Sequence, residues 1–144
     1  MAGSLVAGGA HFFQTRNLAA LGKEVLIAGA TQEYTLSAPD MILQVVHDSG
    51  FDGTQPFPVD VAGRMFWDNR SPTLDAIDAE VRRITEAAGA RFLNRRALVC
   101  DPEAQRCTAV TPDMQGVTYD FHHWTLAGAK YFGAEMAKRG WFAF

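Results

Sequence analysis

At 144 residues, with 48% hydrophobic and 20% charged side chains, the chain has the length and composition of one ordinary globular domain rather than of a disordered segment. A formal net charge of -3 and the lack of any Lys/Arg cluster argue against a phosphate-backbone partner, so no nucleic acid is expected. No apolar run approaches the roughly 20 residues of a membrane-spanning helix. Met1 to Ala10 also lack the basic start and long apolar stretch of a secretory leader, so the chain as it stands reads as soluble and untargeted.

In chain order, His11 to Leu21 reads as a helix with Phe13, Leu18 and Leu21 on one side and Gln14, Arg16 and Asn17 on the other, stopped by Gly22. Val25-Leu26-Ile27-Ala28-Gly29 follows, an apolar run of the kind buried on both faces in a parallel sheet. The loop after it, Gly29 to Tyr34, falls where α/β sheets place their ligand crevice; for Glu33 and Tyr34 ordinary loop polarity is the competing reading. Ser37-Ala38-Pro39-Asp40 carries helix-start signals: a capping hydroxyl, a proline in the first turn and an acid at the positive end of the dipole. Met41 to Val46 continues that helix, although Ile42 to Gly50 also resembles a strand ending in Asp48-Ser49. The cap signals favour the helix.

Asp48 to Asp60 is rich in Gly, Pro and Asp and reads as a long surface loop. Val61 to Asn69 reads as a short helix exposing Arg64 and Arg70, with Phe66 and Trp67 covering core. Ser71-Pro72 begins the clearest helix, in which Leu74, Ile77, Val81 and Ile84 recur on one face, while Asp75, Asp78, Glu80, Arg82, Arg83 and Glu86 form the solvated side. Gly89 ends it, and Ala90 to Leu93 begins a second short strand. Two helix-glycine-strand units imply a parallel sheet with helices on its faces.

Cys100 and Cys107 flank a loop containing Asp101-Pro102-Glu103. A disulfide would contribute roughly 2–3 kcal/mol and point to an oxidising compartment; two reduced thiols fit the spacing as well, and zinc fits it less well. Thr125 then caps a last helix running to about Arg139, with Leu126, Ala129, Phe132, Gly133 and Met136 as its packing stripe, Lys138 and Arg139 in its final turn and Gly140 as its end.

The stretch Tyr119-Asp120-Phe121-His122-His123-Trp124-Thr125 holds the candidate chemistry. A carboxylate three residues before an imidazole, on a turn entering a helix, can hold one ring nitrogen and leave the other facing a substrate. Asp120 and His123 are therefore the candidate catalytic pair, with His122 expected to point elsewhere. A purely structural pair tethering the loop is the competing explanation. A metal site on Asp120, His122 and His123 ranks last, because adjacent histidines are not expected to converge on one ion without further ligands.

Together with Cys100 and Cys107, the run from Tyr119 to Ala129 resembles the end of the SGNH (GDSL-like) hydrolase family. It looks most like the SGNH domains attached to bacterial acyltransferase-3 membrane proteins, which modify surface polysaccharides by O-acylation. Leu21-Gly22-Lys23, Glu33-Tyr34 and the Leu74 to Ile84 helix leading to a cysteine agree in order, so the resemblance runs from about Arg16 to Ala137. It implies an α/β fold: a partial flavodoxin-like three-layer sandwich with a short parallel sheet, a single incomplete domain over 1–144 corresponding to the C-terminal half of an SGNH fold.

By the same resemblance, His123 would be the base for a serine nucleophile and Asp120 its orienting partner, acting on an acyl ester or acetylated carbohydrate with no cofactor and no metal. The parent would be periplasmic or membrane-associated, and the partners would be the N-terminal half of the domain or a membrane acyltransferase module. The Gly-Asp-Ser block that carries the family's serine is not identifiable, nor are the glycine and asparagine that hold the oxyanion. Ser4, Ser37, Ser49 and Ser71 are the serines, and Asp48-Ser49 comes too late in the chain. The chain alone is thus expected to be inactive, and the Val25 to Ala28 strand to present an unpaired edge. The alternative is a non-catalytic α/β interaction or remnant domain.

Overall fold

The structure, a computed structural model, describes residues 14–143. The described chain forms two compact units: residues 14–30 with 73–94, and residues 31–72 with 95–143.

The first unit contains helix α1 (residues 14–20), strand β1 (Leu26–Ala28), helix α4 (Thr73–Ala87) and strand β2 (Arg91–Leu93). The part of the expected first helix from His11 to Phe13 lies outside the described residues. β1 and β2 pair in parallel, with Leu26 opposite Arg91 and Ala28 opposite Leu93. Gly89 makes the turn between α4 and β2: its φ of 75° lies in the left-handed region, where glycine carries no Cβ penalty. There the Ala90 N–H reaches back to the Thr85 carbonyl at 3.1 Å.

Three expectations are corrected in this unit. Leu26 and Ile27 are half-buried and Ala28 is exposed, where burial on both faces was expected; Ile77 of the apolar stripe is 48% exposed. Two strands of three residues form too small a sheet to cover a 15-residue helix or to bury both faces of its own strands. Asp78, expected on the solvated side, is half-buried, and its Oδ1 accepts the Ala30 N–H at 3.0 Å, closing the end of β1.

The second unit holds α2 (Ala38–Ser49), α3 (Val59–Asp68), α5 (Arg96–Val99), β3 (Cys100–Asp101), β4 (Arg106–Cys107) and α6 (Leu126–Lys138). α2 starts where the cap signals place it, with the Ser37 hydroxyl accepting the Asp40 N–H. The loop read as Asp48 to Asp60 is shorter, because α2 runs through Ser49 and α3 begins at Val59. β3 and β4 form an antiparallel hairpin in which Cys100 and Cys107 lie opposite each other and are joined by a disulfide.

Met41 and Val45 of α2, Phe66 of α3, Val117, and Phe132 of α6 are fully buried and form one core with Leu98, Val99 and the disulfide. Tyr34 belongs to this core rather than to a polar loop: it is 4% exposed and meets Phe66 edge-on at 5.0 Å. Arg70, expected as an exposed helical residue, follows α3 and is half-buried, its guanidinium stacked over Trp67 at 3.2 Å. In α6 the inward line is Gly128 and Phe132, with Met136 packed alongside, while Leu126 and Ala129 of the expected stripe are exposed. The helix is rotated by the approach of Gly128 to Val117, where a Cβ at 128 would lie 2.1 Å from the Val117 carbonyl oxygen.

Candidate active-site loop

The candidate residues sit on a loop that folds back on itself between Val117 and Thr125. Thr118 and Trp124 form an antiparallel bridge, the Tyr119 N–H donates to the His123 carbonyl at 3.1 Å, and the Thr125 N–H donates to the Val117 carbonyl at 3.0 Å. Thr125 secures the exit: its hydroxyl donates to the Gly116 carbonyl at 2.6 Å and accepts the Gly128 N–H at 2.9 Å, capping α6. Two carbonyls at the loop's tip are held by other elements of the same unit. Asp120 O accepts the Ala38 N–H at 2.8 Å, a first-turn donor of α2 without an intrahelical partner, and Phe121 O accepts the Tyr34 N–H at 2.9 Å.

Within this frame Asp120 closes the turn itself. Its Oδ1 accepts the backbone N–H groups of His122 at 2.9 Å and His123 at 2.8 Å, and its Oδ2 lies 2.6 Å from His123 Nδ1. The two backbone donors, and after them the imidazole, hold its carboxyl well below the usual carboxylate range. An ionised carboxylate can only accept, so the shared proton sits on His123 Nδ1; in a neutral ring so held, Nε2 is the nitrogen with the lone pair. Tyr119 stacks nearly parallel to the His123 ring, at 5.7 Å between centroids and 13° between planes. His123 and Tyr119 are exposed, and Asp120 is half-buried. This gives an imidazole oriented through Nδ1 on an exposed residue.

His122 does not point elsewhere. Its ring centroid is 3.9 Å from that of His123, and ligand-type atoms of Asp120, His122 and His123 lie within 4.8 Å of one another. The cause is the turn: one carboxylate oxygen gathers two successive N–H groups and curls the chain tightly enough to bring neighbouring side chains together. Nothing in the local pattern signalled this, and the anchoring donors at Tyr34 and Ala38 are equally invisible to it, since they come from distant segments.

Among the described residues no serine hydroxyl hydrogen-bonds to His123. Ser37 Oγ donates to Asp40 Oδ2 at 2.6 Å as part of the α2 cap, Ser49 ends α2, and the Ser71 N–H pairs with the Glu33 carbonyl. Asp48-Ser49 thus lies in a helix and does not follow a strand. An open cleft of about 420 Å³ begins just beyond the loop, lined by Thr111, Asp113, Gln115, Leu126, Lys130 and Tyr131.

Residues 12–138 match the SGNH domain of the kind fused to AT3 domains. The periplasmic domain of a lipopolysaccharide acetyltransferase from Salmonella ser. Paratyphi A has a similar fold, with a TM-score of 0.66 at 12% identity; the likeness covers 96% of this chain and 51% of that one. The chain thus spans about half the length of that structure. No curated protein sequence matches it. No helix among the described residues is long and apolar enough to cross a membrane.

Proposed function

The chain belongs to the SGNH domain family, in the branch fused to AT3 domains, and from that membership we propose that it supplies the acid-base half of a centre for acyl-ester hydrolysis or O-acyl transfer. The observation that carries the reading is the pair itself: an ionised Asp120 on Nδ1 of an exposed His123. In this role Nε2 takes the proton of a serine hydroxyl as it attacks the acyl carbon, and returns it to the departing oxygen. Asp120 stays ionised, fixes the tautomer and stabilises the imidazolium.

The serine and the oxyanion donors come from outside these 144 residues, a reading supported by the absence of a Gly-Asp-Ser block and by the engagement of Ser37 in a cap. An acylated carbohydrate is the substrate class that the lipopolysaccharide acetyltransferase neighbour suggests, and a membrane acyltransferase module is the partner that the AT3 fusion suggests. The disulfide is consistent with a periplasmic setting.

A chromogenic acetyl ester tests the proposal. The chain alone should give no turnover above background. Joined to a serine-bearing SGNH block it should turn over, and His123→Ala should lower that rate about 10⁶-fold. Turnover by the chain alone that disappears in His123→Ala would show that the nucleophile lies within it; an active assembly indifferent to His123→Ala would remove the base role.

A further inference from the structure

We propose that Asp120, His122 and His123 form a binding site for one divalent transition-metal ion of the zinc type. The three side chains offer one carboxylate oxygen and two imidazole nitrogens within 4.8 Å of one another. Around a tetrahedral ion, ligand atoms about 2.1 Å from the metal sit about 3.4 Å apart, so the set has to close further when an ion binds. The turn brings the groups together beforehand, as the 3.9 Å separation of the two rings and the 2.6 Å contact between Asp120 and His123 show. Imidazole with carboxylate suits zinc, copper and nickel, and disfavours calcium and magnesium, which prefer all-oxygen sets. None of the three is deeply buried, so an ion reaches them from solvent and keeps water in its remaining positions.

An occupied site and a working base exclude each other. If the ion takes His123 Nε2 it removes the proton-accepting lone pair, and if it takes Nδ1 it replaces the hydrogen bond that orients the ring. This consequence rests on the function proposed above; the binding does not. His122, which that function leaves idle, separates the two roles.

The test is titration of zinc chloride and cobalt chloride into the untagged chain, followed by calorimetry and by cobalt's visible absorption. One saturable site is expected, with His122→Ala and His122→Gln each weakening it about tenfold or more. His47→Ala should leave it unchanged, because His47 pairs with Asp48 at 2.8 Å but lies outside the three-residue cluster. The imidazole resonances of His122 and His123 should shift or broaden together. The site is overturned if no saturable binding is found, if both His122 variants bind like the parent, or if His47→Ala abolishes binding. No turnover is read, so failure of the acyl-transfer reading leaves these outcomes as they stand, and failure here leaves that reading intact.

Discussion

The second unit contains two reversals of similar length that are closed by different means. The β3–β4 hairpin is locked by a covalent bond between Cys100 and Cys107, opposite each other in the ladder. The loop from Thr118 to Trp124 is closed by backbone hydrogen bonds and by one carboxylate, Asp120, which gathers two N–H groups and an imidazole. Covalent closure buries both sulfurs in the core, where they fix the chain and have no further chemistry. Closure by Asp120 leaves the fastening group at the surface and in contact with the group it would serve. The second loop therefore couples its own integrity to its candidate function, whereas the first does not.

That contrast can be broken from either side. The largest effect on stability is expected from Gly128→Ala, because its methyl would fall 2.1 Å from the Val117 carbonyl and force α6 away from the loop. Denaturant unfolding should show a loss of about 3 kcal/mol, with the Thr125 cap and His123 environment disturbed in amide spectra. Replacing both cysteines by alanine should cost about 2.5 kcal/mol by the loop-entropy estimate and leave the His123 imidazole signals unchanged. A change in those signals would mean that the two closures are coupled after all. Thr125→Ala should cost about 1 kcal/mol through loss of the helix cap and, unlike the cysteine change, should shift the His123 signals.

The smallest effect concerns pH. The folded carboxyl of Asp120 is depressed below its ordinary value of 3.8 by the N–H groups of His122 and His123. Its contribution to the turn is therefore fully present above that value and is lost only as pH falls through the lower, folded one. Amide spectra of the turn should keep their native positions while exposed carboxylates without such donors protonate. Titration of the Asp120 carboxyl at its ordinary value would contradict the assignment of those hydrogen bonds.

Much of the framework was legible because local chemistry and final structure agree. Ser37 with Pro39 marks α2, Thr125 marks α6, and the apolar runs before Gly29 and after Gly89 mark the paired strands. The errors arise where a distant segment decides. Ile77 follows the apolar period of α4 yet meets too little sheet to be covered. Tyr34 reads as polar loop until Phe66 is placed beside it, and Leu126 faces out because Gly128 has to face Val117. At the site, Asp120 and His123 could be singled out by their three-residue spacing together with the resemblance of the run from Tyr119 to Ala129, since spacing alone equally allowed a structural pair. The convergence of His122 depends on how tightly the turn curls, which residue types alone do not specify.

The bonds from Ala38 to Asp120 and from Tyr34 to Phe121 also bear on the order in which the molecule takes shape. The contact between Asp120 and His123 is local and needs only a few residues, whereas the position of the loop depends on a helix start more than half the chain away. Joining them requires closing a long stretch of chain, a slow step compared with forming a turn. A short peptide spanning 116–130 could form the acid-imidazole contact, but it would lack the donors of Tyr34 and Ala38. The direction in which His123 faces is thus settled only when the first turn of α2 and this loop have met.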